Sequence, residues 1–203
     1  MEIHTIGHST HEIEYFIELL QKHEIDQVLD VRSTPYSKHA PQFNKKQLKK
    51  ELEANEICYK FVGDSFGARQ EDPKLYSEDG ILDFNKVMKS QKFRNTFNKV
   101  MDNINRANFV LMCSEKDPLN CHRSILISNA FSKENVKVNH ILSGGEVETQ
   151  IDFENRLLDL YNYRRKPQET LDFHFNKNNN EIDYVKKAYE KRNKDIGYSI
   201  TSK

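Results

Sequence analysis

The stretch FVLMCSEKDPLNCHR, residues 109–123, begins as an unbroken apolar run and ends in cysteine, histidine and arginine. Phe109 to Met112 reads as a strand with no polar face, which suits the middle of a parallel sheet covered on both sides. The chain then turns through Asp117-Pro118. Asn120 stands where it can cap a helix from Cys121 to Phe131, with Ile125, Leu126, Ala130 and Phe131 available for packing and Cys121, His122 and Arg123 in its first turn. A buried strand, a polar turn and a helix, in that order, form one unit of an α/β fold.

The same alternation runs outward from this unit in both directions. Ile3 to Ile6 reads as a strand. Ser9 with Glu12 makes a capping-box pattern ahead of Ile13, Phe16, Ile17 and Leu20 at helical spacing. Val28 to Val31 is a second strand, Asn44 can cap a lysine-rich helix carrying Leu48 and Leu52, and Ile57 to Val62 is a third strand with Cys58 as a core thiol. The loop GDSFGARQEDP follows, then helices around Leu82 to Met88 and Phe93 to Ile104. Beyond the quoted stretch come a strand over Val136 to Leu142, a break at Gly144-Gly145 and a helix from about Thr149 to Tyr161. The expectation is one α/β domain over residues 1–162, with a mostly parallel central sheet of about five strands flanked by helices in Rossmann-like layers. Residues 163–203 are expected to form a basic C-terminal arm with one amphipathic helix from Glu181 to about Lys194.

The chain of 203 residues is long enough to bury a sizeable core, but at 31% charged residues its apolar material must be concentrated in these few elements. No run approaches the roughly 18 apolar residues of a membrane span, and MEIHTIGHST has neither a basic start nor a long apolar stretch, so no secretion signal and no membrane partner are expected. Three cysteines without scaffold-like spacing point to thiols in a reducing, cytoplasmic setting. The net charge of zero conceals a basic block. Val31 to Lys50 holds Arg32 and five lysines with no acid, and Arg164 to Lys203 holds ten basic and six acidic residues. Such blocks are solvated faces or contacts for phosphates.

In an open parallel sheet, ligands bind beyond the carboxyl ends of the strands, where loops meet the N-termini of the following helices. The residues placed there are His8 and Ser9 after the first strand, Asp30, Arg32 and Ser33 on the second, and Gly67 and Arg69 after the third. The fourth contributes Cys113, Glu115, Cys121, His122 and Arg123, and the fifth His140 and Ser143. Most of the chemically capable groups therefore share one edge.

Several pieces together resemble the domain of unknown function 488 family of bacterial and archaeal proteins. They are TIGHS at Thr5 to Ser9, DVRSTPYS at Asp30 to Ser37, Phe43 of APQFN, the loop around Gly67, MCSEKDPLNCHR at Met112 to Arg123 and VNHI at Val138 to Ile141. Where the family shows a glycine pair after the third strand, this chain has Gly67-Ala68. The resemblance implies a compact α/β domain with a polar pocket formed by these motifs. It implies no particular activity.

Arg32 and Arg123 can hold a phosphate or carboxylate between them, or Arg32 can pair internally with Asp30 or Glu115. Four chemistries compete for the turn after the fourth strand. A cysteine phosphatase or sulfurtransferase loop needs a closing arginine five or six positions after the cysteine, and neither Cys113 nor Cys121 has one there. Metal binding by Cys113, Cys121 and His122, with His8 or His140, is weakened because adjacent helical residues point about 100° apart. Glycosyl-bond or base chemistry on a nucleotide has Glu115 as nucleophile or general base, with Asp30 or His8 moving the proton. A binding module without catalysis draws on the lysines, Phe43 as a stacking ring and the basic tail.

The reading carried forward is a pocket for a phosphorylated small molecule or nucleic acid in an enzyme of the hydrolase or transferase type. Its catalytic groups are Glu115, Asp30, His8 and Cys121, and its binding groups Ser9, Arg32, Ser33, Gly67, Arg69, Cys113, His122 and Arg123. The non-catalytic module is the alternative. No metal and no cofactor are expected, and a Cys121 thiolate favoured by a helix N-terminus should alkylate faster than Cys58.

Overall fold

Six strands build one sheet in the computed structural model, which describes residues 1–163 and 183–200. They are β1 (Glu2–Gly7), β2 (Gln27–Asp30), β3 (Cys58–Phe61), β4 (Phe109–Cys113), β5 (Lys137–Ile141) and β6 (Val147–Thr149). Their order is β3-β2-β4-β1-β5-β6, parallel throughout except that β6 runs antiparallel to β5. The five residues of β4 are all buried, as its apolar sequence requires of a central strand.

Period-two alternation sends the strand side chains to two separate cores. Val110 and Met112 of β4 join Ile6, Val28 and Ile141 beneath α1 (Ile13–Lys22) and α2 (Lys45–Ala54), whose Phe16, Leu20, Leu48 and Leu52 face inward. Leu111 and Cys113 join Ile3, Leu29 and Val138 on the other face. That face is covered by α3 (Gly63–Phe66), α4 (Phe84–Lys89), α5 (Gln91–Met101), a π-helical segment Arg123–Ser128 that runs into α6 (Asn129–Lys133), α7 (Gln150–Leu160) and α8 (Tyr184–Ile196). No described helix is long and apolar enough to cross a membrane.

Helix α8 presents Ala188 and Tyr189 to this second core, while Lys186, Lys187, Lys191 and Lys194 stay exposed. The Tyr189 hydroxyl accepts from Gln150 Nε2 (2.7 Å) and donates to Glu154 (3.1 Å), and Arg192 donates to the Leu119 carbonyl (2.9 Å). Residues 164–182, which include the expected start of that helix at 181–182, and residues 201–203 fall outside the described residues.

Several local expectations are corrected. The capping box does not form: Ser9 adopts φ of 49°, and Glu12 precedes α1 without a side-chain cap. Ser9 instead points its amide at the Ser114 carbonyl (3.0 Å). Cys58 is exposed and not a core thiol, because β3 is an edge strand whose Cys58 and Lys60 face solvent. GDSF forms the short α3 where a loop was expected. His140 is fully buried, with Nδ1 at 2.9 Å from the Thr5 hydroxyl and Nε2 at 3.1 Å from Gln150 Oε1. Burial, then the nearby Arg123, brings its pKa down to about 3, so it sits neutral in the core.

Candidate functional site

The ends of β1, β2 and β4 meet, and backbone bonds stitch the loops that leave them. His8 N–H donates to the Cys113 carbonyl (2.9 Å) and Val31 N–H to that of Met112 (3.1 Å). A Cβ on Gly7 would lie 1.9 Å from the Glu115 carbonyl oxygen, so glycine is what lets the loop after β4 cross the end of β1. Gly67 is similarly close to Ser33, whose hydroxyl accepts from the Arg69 amide (2.9 Å).

One half of the edge is an internal brace. Asp30 is fully buried, and its carboxylate accepts from Arg32 Nε (2.9 Å), Arg32 Nη2 (2.7 Å), the Arg32 amide (3.1 Å) and the Tyr59 hydroxyl (2.7 Å). Arg32 also donates to the Phe43 carbonyl (2.9 Å) and from Nη1 to His8 Nε2 (3.0 Å). His8 donates from Nδ1 to the Ser9 carbonyl (2.8 Å) and stacks on Phe43 with centroids 4.2 Å apart. Burial, then Arg32, pushes the His8 pKa down to about 4, which keeps the ring neutral and Nε2 an acceptor. Burial, then Asp30, raises that of Tyr59.

These contacts correct four expectations. Arg32 forms the internal ion pair and is not held out to an anion. Asp30 and His8 have their polar atoms engaged and do not present them to a ligand. Phe43 is fully buried against His8 and offers no face to a base. Tyr59, missed because its partner is set by the pairing of β3 with β2, completes the brace.

The other half gathers the groups of the opening stretch. Asp117 caps a 3₁₀ turn, Pro118–Asn120, and Cys121 leaves it in extended conformation, φ −130° and ψ 136°. The helix therefore begins at Arg123 and not at Cys121, and the 100° divergence expected of Cys121 and His122 does not arise. One donor atom from each of Cys113, Glu115, Cys121 and His122 falls within 4.8 Å of the others. Glu115 Oε2 accepts from the Cys113 thiol (2.7 Å) and the Cys121 thiol (3.0 Å). His122 Nδ1 lies 3.6 Å from Cys113 Sγ and 3.9 Å from Cys121 Sγ, while its Nε2–H donates to the Val31 carbonyl (3.1 Å).

Burial opposes the charge on Glu115, but hydrogen bonds from Cys113 and Cys121 and the charge of His122 prevail and bring its pKa to about 2. Burial also works against a charged His122, yet Cys121 and Glu115 beside it raise its pKa. Burial, then the Cys113 thiol, raises the Cys121 pKa well above the ordinary thiol value, which overturns the expected thiolate. At pH 7 an alkylating reagent is expected to modify the exposed Cys58 before Cys113 or Cys121. Peptide mass analysis over time checks this, and faster loss of the Cys121 thiol would contradict it.

Arg123 has no exposed surface. It donates from Nη1 to the Glu115 carbonyl (2.7 Å), from Nη2 to that of Lys116 (3.4 Å) and from Nε to the Thr5 hydroxyl (3.4 Å). It anchors the loop from within, which corrects the expectation that it receives an anion. What the edge shows to solvent is Glu115 itself, with Ser114, Lys116, Tyr36 and Arg69 exposed and Ser9 and Ser33 half-buried. Glu115 and Lys116 border an open depression shared with Asp117, Leu142, Ser143 and Arg156. A more enclosed cavity between α4 and α8, lined by Phe84, Met88, Ile125, Asn129 and Tyr189, contains none of the candidate residues.

Comparison with curated proteins and with solved structures gives no match. The family model described as domain of unknown function DUF488 matches residues 12–130, more than half of the chain and the span that carries most of this edge, and the chain accordingly belongs to that family.

Proposed function

We propose that the edge around Glu115 binds a nucleotide or nucleic acid in the cytoplasm, and that Glu115 acts on the bound ligand as the carboxylate of a glycosyl-bond hydrolase or transferase. The observation that carries this reading is a carboxylate on an exposed residue, at the carboxyl edge of a parallel sheet, whose Oε2 accepts from the Cys113 and Cys121 thiols (2.7 and 3.0 Å), bonds that favour its ionised form. A carboxylate of that kind suits the nucleophile or the electrostatic partner of a developing oxocarbenium ion better than a general base, whose best pKa lies near the working pH. Since Arg32 and Arg123 are engaged inside the protein and the Arg69 guanidinium lies over the Tyr198 ring (4.7 Å), the phosphate is met by exposed Lys116. Tyr36, 62% exposed, offers a face for a base. The exposed lysines of α8 add salt-dependent, sequence-independent attraction.

Glu115→Gln is expected to lower turnover by about 10²–10³-fold, as loss of a charge made for the transition state does, while ligand affinity changes little. The check is base release from a panel of nucleosides, nucleotides and short oligonucleotides, with binding followed on the same panel. The sequestration of Asp30 and His8 favours a second reading, a binding module without turnover. Binding by the intact chain with no base release would select it, and no binding by the intact chain would end both.

A further inference from the structure

We propose that Cys113, Cys121 and His122 form a zinc centre whose fourth position opens to solvent beside Glu115. This inference shares Glu115 with the nucleotide reading and changes its setting, since the two thiols that hydrogen-bond its carboxylate become zinc ligands; it is tested by metal content, apart from any base release. Zinc takes thiolate at about 2.3 Å and imidazole at about 2.0–2.1 Å, so a sulfur and a nitrogen on one tetrahedron lie about 3.6 Å apart. His122 Nδ1 lies 3.6 Å from one thiol and 3.9 Å from the other, with no metal to draw them together. All three residues are buried, which limits competition from water.

The surroundings fit the same role. His122 Nε2–H on the Val31 carbonyl fixes the tautomer and leaves the Nδ1 lone pair facing both sulfurs, the arrangement that orients a metal-bound histidine. The Arg123 amide points at Cys121 Sγ (3.4 Å), a donor suited to a thiolate. The extended backbone at Cys121 lets two adjacent side chains converge, and Asp117, which caps the preceding turn, is itself held by Arg156 (2.9 Å). Glu115 differs from the other three. It is exposed, and its oxygen sits at hydrogen-bond distances of 2.7 and 3.0 Å from the sulfurs, shorter than a tetrahedron edge. Two thiolates and an imidazole already balance the charge of a divalent ion. Each thiol gives its proton to solvent as the metal binds, and Glu115, released from both, faces a metal-bound water or ligand.

The test uses the full chain, prepared without a histidine tag and kept reduced. Elemental analysis of the purified protein is expected to give about one zinc per chain. After removal of metal by a chelator, titration with Co²⁺ is expected to give sulfur-to-cobalt charge transfer and the intense visible bands of a tetrahedral site. Cys113→Ser and His122→Ala should drop the zinc content below about a tenth of the wild-type value, while Cys58→Ser leaves it unchanged. Glu115→Gln should keep the zinc, with affinity altered by less than about 100-fold. Were the variants to misfold, the wild-type cobalt spectrum alone still reports sulfur ligation. Absence of zinc together with absence of that spectrum, or a Cys113–Cys121 disulfide in place of metal, overturns the centre. Loss of zinc from Glu115→Gln as complete as from Cys113→Ser overturns the open fourth position.

Discussion

Changing Asp30 to asparagine is expected to destabilise the fold by about 3–5 kcal/mol, the usual consequence of leaving a buried charge without its partner. Asp30 and Arg32 are both buried, and four donors converge on the carboxylate. An amide at this position offers one oxygen and sets an NH₂ against either the guanidinium or the Tyr59 hydroxyl. Arg32 then stays charged in an apolar setting, between the sheet and Phe43. Such a loss is a large part of the 5–15 kcal/mol that ordinarily holds a domain together. Urea denaturation at pH 7 measures it. A change below about 1 kcal/mol would show that the brace is not a structural unit and would return Asp30 to the list of groups free to act on a ligand.

Arg123→Ala is expected to have an effect of similar size by a different route. The guanidinium satisfies the carbonyls of Glu115 and Lys116 and touches the Thr5 hydroxyl, which itself bonds His140. Truncation removes the donor from two part-buried carbonyls and leaves a cavity where the fully buried arginine stood, for a total of about 3–5 kcal/mol. It also frees the loop that positions Glu115, so the centre of Cys113, Cys121 and His122 should lose definition before the sheet melts. Denaturation monitored together with hydrogen exchange at residues 113–118 checks both effects. A stable variant with unchanged exchange would mean that the loop holds its shape without the arginine.

The sheet was legible because its signals are local. An apolar run such as Phe109 to Met112 has no partner-dependent alternative, and the spacing of Phe16, Leu20, Leu48 and Leu52 specifies a buried helix face without reference to the rest of the chain. The edge on which the chemistry gathers was legible for the same reason, since the loops after parallel strands must share it. What failed depended on neighbours. Cys58 looks like a core thiol until β3 becomes an edge strand, and β6, three residues long and antiparallel, has too little sequence to show a period. Whether the chain enters its helix at Cys121 or at Arg123 is decided by a 3₁₀ turn and changes which side chains converge. An arginine reads as an anion site in sequence. Only the carbonyls and carboxylate folded around Arg32 and Arg123 show that both are spoken for.

Hydrogen–deuterium exchange of the full chain, with and without a mixed pool of ribonucleotides and short single-stranded oligonucleotides, tests the ligand site most directly. Slower exchange is expected at residues 8–10, 33–37 and 113–116, where the ends of β1, β2 and β4 meet around Glu115. Slowing confined to the cavity between α4 and α8, or no change anywhere in the chain, would contradict the account.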